Sequence, residues 1–310
     1  MTSQLEIQPR LHSPLRQSRR SLRRNSTGWL FLAPAVLLIA ALTVIPFGQA
    51  ILLSFQEWDG ISPDSPFVGL DNYSAVLKDQ VFWASMGNVL VFAVVGFFLG
   101  NGIALAMAIA VNKVPRAKAF FRTAFYLPGA FSVVVVGLIY SWLLEPRIGI
   151  VNRGLEAIGA GSLSQNWLGN PEIALFSVAL VFVWYHWGFA FILFLAGLQD
   201  IPNELYEAAS LDGAPGRTKF RYITWPHLAP VTSIVSVLTL LSALQVFGTV
   251  QVLTNGGPGY HTMVPTLQIY IEAFANHRYG TAAAMSVLFG GALVVLSLVQ
   301  LGISRRSSRA

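Results

Sequence analysis

The sequence has 310 residues, of which 54% are hydrophobic and only 11% charged, far below the roughly 25% charged residues of an average soluble domain. Such a chain is expected to be solvated mainly by lipid, which argues against a soluble enzyme. It contains no cysteine, which excludes disulfide bonds, and its net charge of +6 does not indicate nucleic-acid binding, because the basic residues cluster at the ends of apolar runs.

Long intervals without Asp, Glu, Lys or Arg predict an all-α membrane protein with six transmembrane helices, since one crossing needs roughly 20 apolar residues. The predicted spans lie near residues 29–55, 85–111, 123–144, 173–197, 229–253 and 281–303. Six arginines from Arg10 to Arg24 precede the first span, which we interpret as a retained anchor because no Ala-x-Ala cleavage site is evident. No second span is expected within the fifth apolar interval, 222–271, because a Gly- and Pro-rich turn interrupts it after Leu253.

The loop charges predict the orientation of the chain. All but four of the 20 Lys and Arg residues lie in the N-terminal tail, in the segments 112–122 and 198–221, or at the C-terminus. The other four, on the opposite side, are Lys78, Arg147, Arg153 and Arg278. By the positive-inside rule, both termini are expected to be cytoplasmic.

Three classes of function lose support from the pattern. Ion-coupled carriers commonly place charged groups near the middle of the membrane, whereas the predicted spans have none. The fragment from Gly213 to Thr218 lacks the spacing and the lysine of a phosphate-binding P-loop, so this chain is not expected to hydrolyse ATP. His186, His261 and His277 lack metal-ligand spacing with one another, which disfavours a membrane metalloenzyme.

The cytoplasmic segment 200–226 is the most informative part of the chain. Asp200 or Asn203 is predicted to cap a short helix with Glu204 and Glu207 in its first turn, favourable near the positive end of the helix dipole. Helical spacing puts Leu205, Ala208 and Ala209 on one face, and Gly213 is a natural helix stop. By these features alone, the segment could equally be an ordinary surface helix between two spans.

The same segment resembles the EAA loop of ABC importer permeases: Glu-Ala-Ala, three residues, Gly, nine residues, then Ile-x-Leu-Pro. Glu207-Ala208-Ala209, Gly213, Ile223 and Pro226 fall at that spacing, while Trp225 replaces the usual leucine. The resemblance implies a type I ABC importer transmembrane domain whose coupling helix sits in a groove of a separate ATPase. Glu207 would then anchor the helix, Ala208 and Ala209 would pack closely, and Gly213 would make the turn. Glu204, Ile223 and Pro226 complete the set of candidate coupling residues.

The resemblance also implies the organisation and partners of the chain. Residues 1–28 would be a basic cytoplasmic tail, 29–84 the first span with an external loop, 85–303 the core permease domain, and 304–310 the cytoplasmic C-terminus. The partners would be a second, homologous permease, an ABC ATPase dimer and an extracytoplasmic solute-binding protein. This chain would bind no cofactor itself, because ATP and Mg belong to the ATPase.

Further residues resemble the sugar and glycerol-phosphate branch of that family. They are the segment from Trp184 to Gln199, Leu253 to Pro258, Tyr270 to Phe274 and Ala283 to Ser286. A polar group in hydrocarbon needs a partner or a water-filled cavity, so polar and aromatic residues of the spans are candidates for the substrate path or for contacts between helices. The candidates are Tyr185, His186, Gln245, Ser242, Asn88 and Trp184. The scarcity of external Lys and Arg favours a neutral sugar, with glycerol phosphate left open.

Overall fold

The computed structural model describes residues 31–114, 116 and 118–307. Helices account for nearly all the regular structure in these residues, and the β-structure found there is a single antiparallel bridge between Gln56 and Phe67. The described part of the chain divides into two compact units, with the boundary between Leu52 and Leu53. The prediction of an all-α membrane protein is thus confirmed.

Five helices are long and apolar enough to cross a membrane, and a bent pair supplies a sixth crossing if it is one span. The five are α1 (Phe31–Leu53), α3 (Gln80–Asn112), α7 (Ala174–Gln199), α9 (Gly216–Leu244) and α12 (Tyr279–Ser307). The bent pair is α4 (Lys118–Ala130) and α5 (Val133–Leu143). Shorter helices are α2 (Asp71–Lys78), α6 (Ile150–Ala157), α8 (Asn203–Leu211), α10 (Gly248–Leu253) and α11 (Pro265–Tyr270), the last continuing as a π turn over Ile271–Ala275.

Two of the spanning helices contain a π turn directly before a proline. In α1 the turn covers Ala40–Val44, two residues before Pro46, and in α9 it covers Phe220–Thr224, two residues before Pro226. Proline has no backbone N–H and its ring crowds the carbonyl four residues earlier, so the widened turn accommodates it without ending the helix. The fifth span therefore begins before the predicted residue 229, because Gly216–Leu244 is one continuous helix.

The third predicted span, near 123–144, is not a single helix. The chain bends by 92° between α4 and α5. Pro128 lies in the last turn of α4, and the side chain of Ser132 caps α5 by accepting a hydrogen bond from the backbone of Val134 at 3.3 Å. A new helix start immediately after a proline-containing turn explains why the apolar run changes direction.

The fifth span ends earlier than predicted, at Leu244 instead of near 253. The carbonyl of Val246, released where the helix ends, accepts a hydrogen bond from the hydroxyl of Thr266. Gly248 starts α10 close to Val133 of α5, where an added Cβ would lie 2.7 Å from the valine side chain. Tertiary packing against α5 and α11 therefore sets this boundary, and no apolar pattern in the sequence marks it.

Helix α7 lies at the centre of the core and packs on α3, α4, α9 and α10. Phe182 of α7 meets Phe92 of α3 edge to face at 5.7 Å. Gly188 allows the backbone of α4 to come close, since an added Cβ would clash with the carbonyl of Phe125. Gly96 of α3 faces Phe182 within the chain, which assigns this small residue to intrachain packing.

Candidate functional site

The cytoplasmic helix α8 begins at Asn203 with Pro202 in the capping position, and no side chain caps it. The prediction that Asp200 or Asn203 caps this helix is therefore wrong. Proline supplies an extended backbone at the boundary instead, with φ −58° and ψ 131°. Glu204 lies in the first turn as predicted, whereas Glu207 lies one turn further along.

The end of α8 is a Schellman motif built on Gly213. The backbone N–H of Gly213 donates to the carbonyl of Ser210 at 3.1 Å, and that of Ala214 donates to Ala209 at 2.9 Å. Gly213 has φ +72°, in the left-handed region that favours glycine. An added Cβ would meet no atom within 4 Å, so the requirement for glycine here comes from the backbone.

Two side-chain contacts tie α8 to the start of α9. The hydroxyls of Tyr206 and Thr224 lie 2.9 Å apart. The ammonium group of Lys219 donates to the hydroxyl of Ser210 at 2.7 Å, and that hydroxyl in turn donates to the carbonyl of Tyr206. Tyr206 and Ile223 pack against the same apolar cluster beneath them. Consequently α8 is held against α9 at both ends of their shared surface.

The outward face of α8 differs from the predicted one. Ala208 and Leu205 are exposed, but Ala209 is half-buried on the side of Tyr206. The residues that share the exposed side at helical spacing are Glu204, Glu207, Ala208 and Leu211. Leu211 is 89% exposed, which leaves a large apolar side chain in water beside two carboxylates.

The second part of the predicted loop motif lies in α9. Ile223 is half-buried in the apolar cluster, and Pro226 is exposed just after the π turn. Trp225, which replaces the usual leucine, is about half exposed, with its ring 6.2 Å from that of Phe220. The tryptophan thus packs beside the helix start and leaves the continuity of α9 intact.

A cavity of about 260 Å³ lies between α4, α7 and α9. We name it the membrane cavity; it is lined by Tyr126, Gly129, Phe182, Tyr185, His186, Phe189, Ala190, Leu193, Val235, Leu238, Thr239 and Ser242. The described lining residues include no Asp, Glu, Lys or Arg. Aromatic faces with a few neutral polar groups can bind an uncharged polar molecule.

His186 presents its ring to the membrane cavity in a fixed orientation. Its Nδ1 lies 2.9 Å from the carbonyl oxygen of Phe182, and the ring lies 4.1 Å from the Phe182 ring. Because a carbonyl oxygen only accepts, Nδ1 carries the proton and Nε2 of a neutral ring is left as an acceptor. His186 can therefore accept a hydrogen bond from a hydroxyl group in the cavity.

Tyr185 connects the membrane cavity with the bend between α4 and α5. Its hydroxyl donates to the carbonyl of Phe131 at 3.0 Å, at the point where the two helices separate. A Cβ added to Gly129 would lie 3.3 Å from the carbonyl oxygen of Tyr185. The glycine therefore lets α4 approach α7 closely at this point. A lining residue thus also holds the break in the third span.

The structure brings Tyr185, His186 and Ser242 together in the membrane cavity but places three other candidates elsewhere. Asn88 donates to the carbonyls of His261 and Met263 at 3.0 and 2.9 Å, which fastens the loop after α10 to α3. Trp184 stacks edge to face on Tyr140 at 5.1 Å. Gln245 is exposed at the end of α9.

Asn101 is a functional candidate that sequence reasoning did not single out. The hydroxyl of the cavity-lining Thr239 donates to Asn101 Oδ1 at 2.9 Å, which links α9 to α3. A polar residue in the middle of an apolar run was the available signal, because such a group needs a partner in hydrocarbon. Among the described residues, no group of three His, Asp or Glu side chains could hold a metal ion.

Comparison with known proteins gives a consistent match. Residues 100–309 match the family described as "Binding-protein-dependent transport system inner membrane component". The probable ABC transporter permease YurN of Bacillus subtilis is 34% identical over 88% of this chain and 94% of its own length. The sn-glycerol-3-phosphate transport permease UgpA of Agrobacterium fabrum is 33% identical over 88% and 92%.

A sugar transporter and a solved structure match over similar lengths. The trehalose/maltose transport permease MalF of Thermococcus litoralis is 31% identical over 93% of this chain and 97% of its own length. The solved structure is a chain of a bacterial ABC transporter involved in the import of the acidic polysaccharide alginate. It matches with a TM-score of 0.79 and 25% identity, over 93% of this chain and 98% of that one.

Proposed function

We infer the function of this chain from its family: it belongs to the binding-protein-dependent transport system inner membrane components and is a permease subunit of an ABC importer. We propose that it translocates a sugar or oligosaccharide through the membrane cavity. The observation that carries this substrate class is the neutral, aromatic lining of that cavity. Aromatic rings pack on the C–H faces of sugars, while His186, Thr239 and Ser242 offer neutral hydrogen-bonding groups.

Glycerol 3-phosphate is a second candidate because of the 33% identity to UgpA. A phosphate ester entering this cavity would need a cation or several N–H donors to replace its hydration. The described lining residues provide no Lys or Arg for that purpose. The neutral sugar is therefore the better fit.

The proposed coupling residues are Glu204, Glu207, Ala208, Ala209, Gly213, Ile223 and Pro226. Helix α8 would dock in a groove of the ATPase through its exposed side, with Ala208 allowing close approach and Leu211 burying its apolar surface. Ala209 would act from the inner side, where its carbonyl accepts the hydrogen bond that closes the helix end. ATP and Mg would be bound by the ATPase.

The link between α8 and α9 offers a mechanical path to the substrate. Movement of α8 by the closing ATPase dimer would be passed to α9 through the Tyr206–Thr224 and Lys219–Ser210 contacts. Helix α9 also contributes Thr239 and Ser242 to the membrane cavity. Displacement of this one continuous helix would thus change the shape of the cavity wall. Binding of nucleotide to the ATPase would in this way alter the access of substrate to the cavity.

We place the chain in the bacterial inner membrane with both termini cytoplasmic, as the distribution of Lys and Arg supports. The expected division into a tail (1–28), a first span with an external loop (29–84), a core (85–303) and a C-terminus (304–310) belongs to this proposal. A second, homologous permease would complete the path, because one coupling loop per chain suits an ATPase dimer with two grooves.

The test is to purify the chain in mild detergent from its native membrane and identify the proteins that accompany it. The proposal expects an ABC ATPase, a second permease and a solute-binding protein. Thermal shift of that binding protein should then be larger with neutral oligosaccharides than with glycerol phosphates. Recovery of the chain alone in a stable form would contradict the importer assembly, and a response to glycerol phosphates only would overturn the substrate class.

A further inference from the structure

The segment between α1 and α2, external in the proposed topology, is held in a fixed conformation. The backbone N–H of Val68 donates to the carbonyl of Phe55 at 2.8 Å, closing the segment on itself. The side-chain amide of Asn72 donates to the carbonyls of Ser54 and Gln56 at 3.0 and 2.9 Å. A surface that is rigid before binding loses little conformational entropy when a partner docks on it.

A cleft of about 390 Å³ opens between this segment, α2 and the start of α12. We name it the external cleft; the lining residues that matter here are Glu57, Asp59, Asp71, His277, Arg278 and Thr281. Its size is sufficient for one long side chain of another protein. The external cleft and the membrane cavity share no lining residue.

The charge of the external cleft is negative because its one arginine is already paired. Arg278 Nε lies 2.7 Å from the carboxylate of Glu272, which is itself buried. Among the described residues, the exposed carboxylates of Glu57 and Asp71 have no hydrogen-bond or ion-pair partner. Asp59 adds a third negative charge to the rim.

Asp59 is ionised at neutral and mildly acidic pH. Hydrogen bonds from the backbone N–H groups of Ser62 and Ile61, at 2.8 and 2.9 Å, lower the pKa of Asp59 to about 2. Its carboxylate also accepts from the Ser62 hydroxyl. The same bonds fix the turn that carries it.

Large apolar side chains flank the carboxylates. Ile61, Phe67 and Leu70 are 80%, 76% and 67% exposed, and each lies within two residues of a lining residue of the cleft. Apolar and aromatic groups arranged around a few desolvated polar contacts are typical of protein interfaces. On ordinary protein surfaces, exposed large apolar residues are scattered singly, whereas here three of them occur in one short rigid segment.

We propose that the external cleft and its apolar rim form a docking surface for the solute-binding protein, which inserts a Lys or Arg side chain between Glu57, Asp59 and Asp71. Ile61, Phe67 and Leu70 are covered in the docked complex. This inference rests on the proposed function, since it takes the partner from the importer assembly. Charge complementarity orients the binding protein and raises its rate of association, and the apolar rim supplies the surface that is buried in the complex.

The acidic character distinguishes this surface from one that binds lipid. Membrane-surface segments combine apolar residues with Lys and Arg, because lipid headgroups are frequently anionic. Another external segment fits that description: Ile148 and Ile150 are exposed beside Arg147 and Arg153. Three carboxylates without an ion-pair partner among the described residues, two of them also without a hydrogen-bond partner, favour a basic protein surface instead.

The test uses the purified assembly in lipid nanodiscs and the solute-binding protein that accompanies the wild-type chain. Glu57→Arg combined with Asp71→Arg is expected to raise by about tenfold or more the concentration of binding protein that gives half-maximal ATPase stimulation, because like charges placed opposite each other repel. The maximal rate is expected to stay unchanged. Glu172→Arg, an exposed external carboxylate outside the cleft, is the matched control and should leave the half-maximal concentration unchanged.

An unchanged half-maximal concentration in the double variant, or an equal rise in Glu172→Arg, would overturn the docking surface. A wild-type assembly that no binding protein stimulates would contradict the proposed function itself. Since the chain has no cysteine, Phe67→Cys also provides a unique attachment point for a photo-crosslinker. A covalent adduct with the binding protein supports the proposal, and an adduct with lipid alone overturns it.

Discussion

The hydroxyl of Tyr185 lies 3.0 Å from the carbonyl oxygen of Phe131, so a residue of the membrane cavity holds the break in the third span. The membrane cavity and the bend between α4 and α5 therefore meet at one side chain. A ligand that displaces this hydrogen bond would change the stability of the bend. If the membrane cavity is the proposed substrate path, the break lies on that path as well.

We expect Tyr185→Phe to lower the maximal transport rate with little change in the apparent substrate affinity. The variant keeps the aromatic face but loses one hydrogen bond, worth about 1 kcal/mol, which corresponds to roughly a fivefold change in a conformational equilibrium. Uptake into proteoliposomes at several substrate concentrations separates the two parameters. Tyr260→Phe, which removes an exposed hydroxyl outside the cavity lining, is the control and should behave like wild type. A loss of affinity alone in Tyr185→Phe would mean that its hydroxyl binds substrate instead.

Gly213→Ala should weaken coupling, because a side chain in the left-handed region costs about 1–2 kcal/mol. Gly213→Asp should add charge at the docking site and abolish uptake while membrane insertion remains intact. Gly216→Ala provides the matched control: it lies in the same loop with an ordinary φ and open space around it. The measurement is substrate uptake per ATP hydrolysed. Normal uptake by Gly213→Asp would refute the coupling role.

Tyr206→Phe and Thr224→Val should each lower transport per ATP hydrolysed, since both remove the hydroxyl contact that joins α8 to α9. The double variant should be no worse than the single ones, because the two residues share one interaction. A double-mutant cycle on the coupling ratio measures this directly. Fully additive losses would show that the two hydroxyls act separately and that movement reaches α9 by another route.

Asn88→Ala should loosen the loop after α10 and leave substrate affinity unchanged. Two hydrogen bonds to loop carbonyls are lost, which lowers the free energy of unfolding by about 2 kcal/mol. Limited proteolysis and thermal unfolding of the assembly report this loss. Gln245→Ala removes an exposed amide of the same class and should leave both measurements as in wild type. Reduced substrate affinity in Asn88→Ala, without faster cleavage, would return Asn88 to the substrate path.

Much of the fold could be predicted because the length of apolar runs is a local property of the chain. Five spanning helices followed from it in the predicted order. The helix stop at Gly213 followed from residue type, because glycine suits a left-handed backbone. The bend near Phe131 and the end of α9 at Leu244 could not be predicted. Both depend on partners distant in sequence: Tyr185 binds the Phe131 carbonyl, and Thr266 binds the Val246 carbonyl.

The candidate site divides in the same way. The resemblance to the EAA loop predicted the coupling loop, and that role stays a prediction, whereas Tyr185, His186 and Ser242 do meet in one cavity. The role of Asn88 could not be predicted from the sequence, because its hydrogen-bond partners are backbone carbonyls more than 170 positions away. Polarity within an apolar span indicates that a partner exists but does not say whether that partner is a ligand or the protein itself.

Uptake of a labelled neutral oligosaccharide into proteoliposomes that contain the co-purified assembly tests whether this chain works as a subunit of an ATP-driven importer. We expect accumulation only when the solute-binding protein is outside and ATP is available to the ATPase, with none after the ATPase subunit is removed. Accumulation by the chain without the ATPase, driven by a sodium or proton gradient, would contradict it.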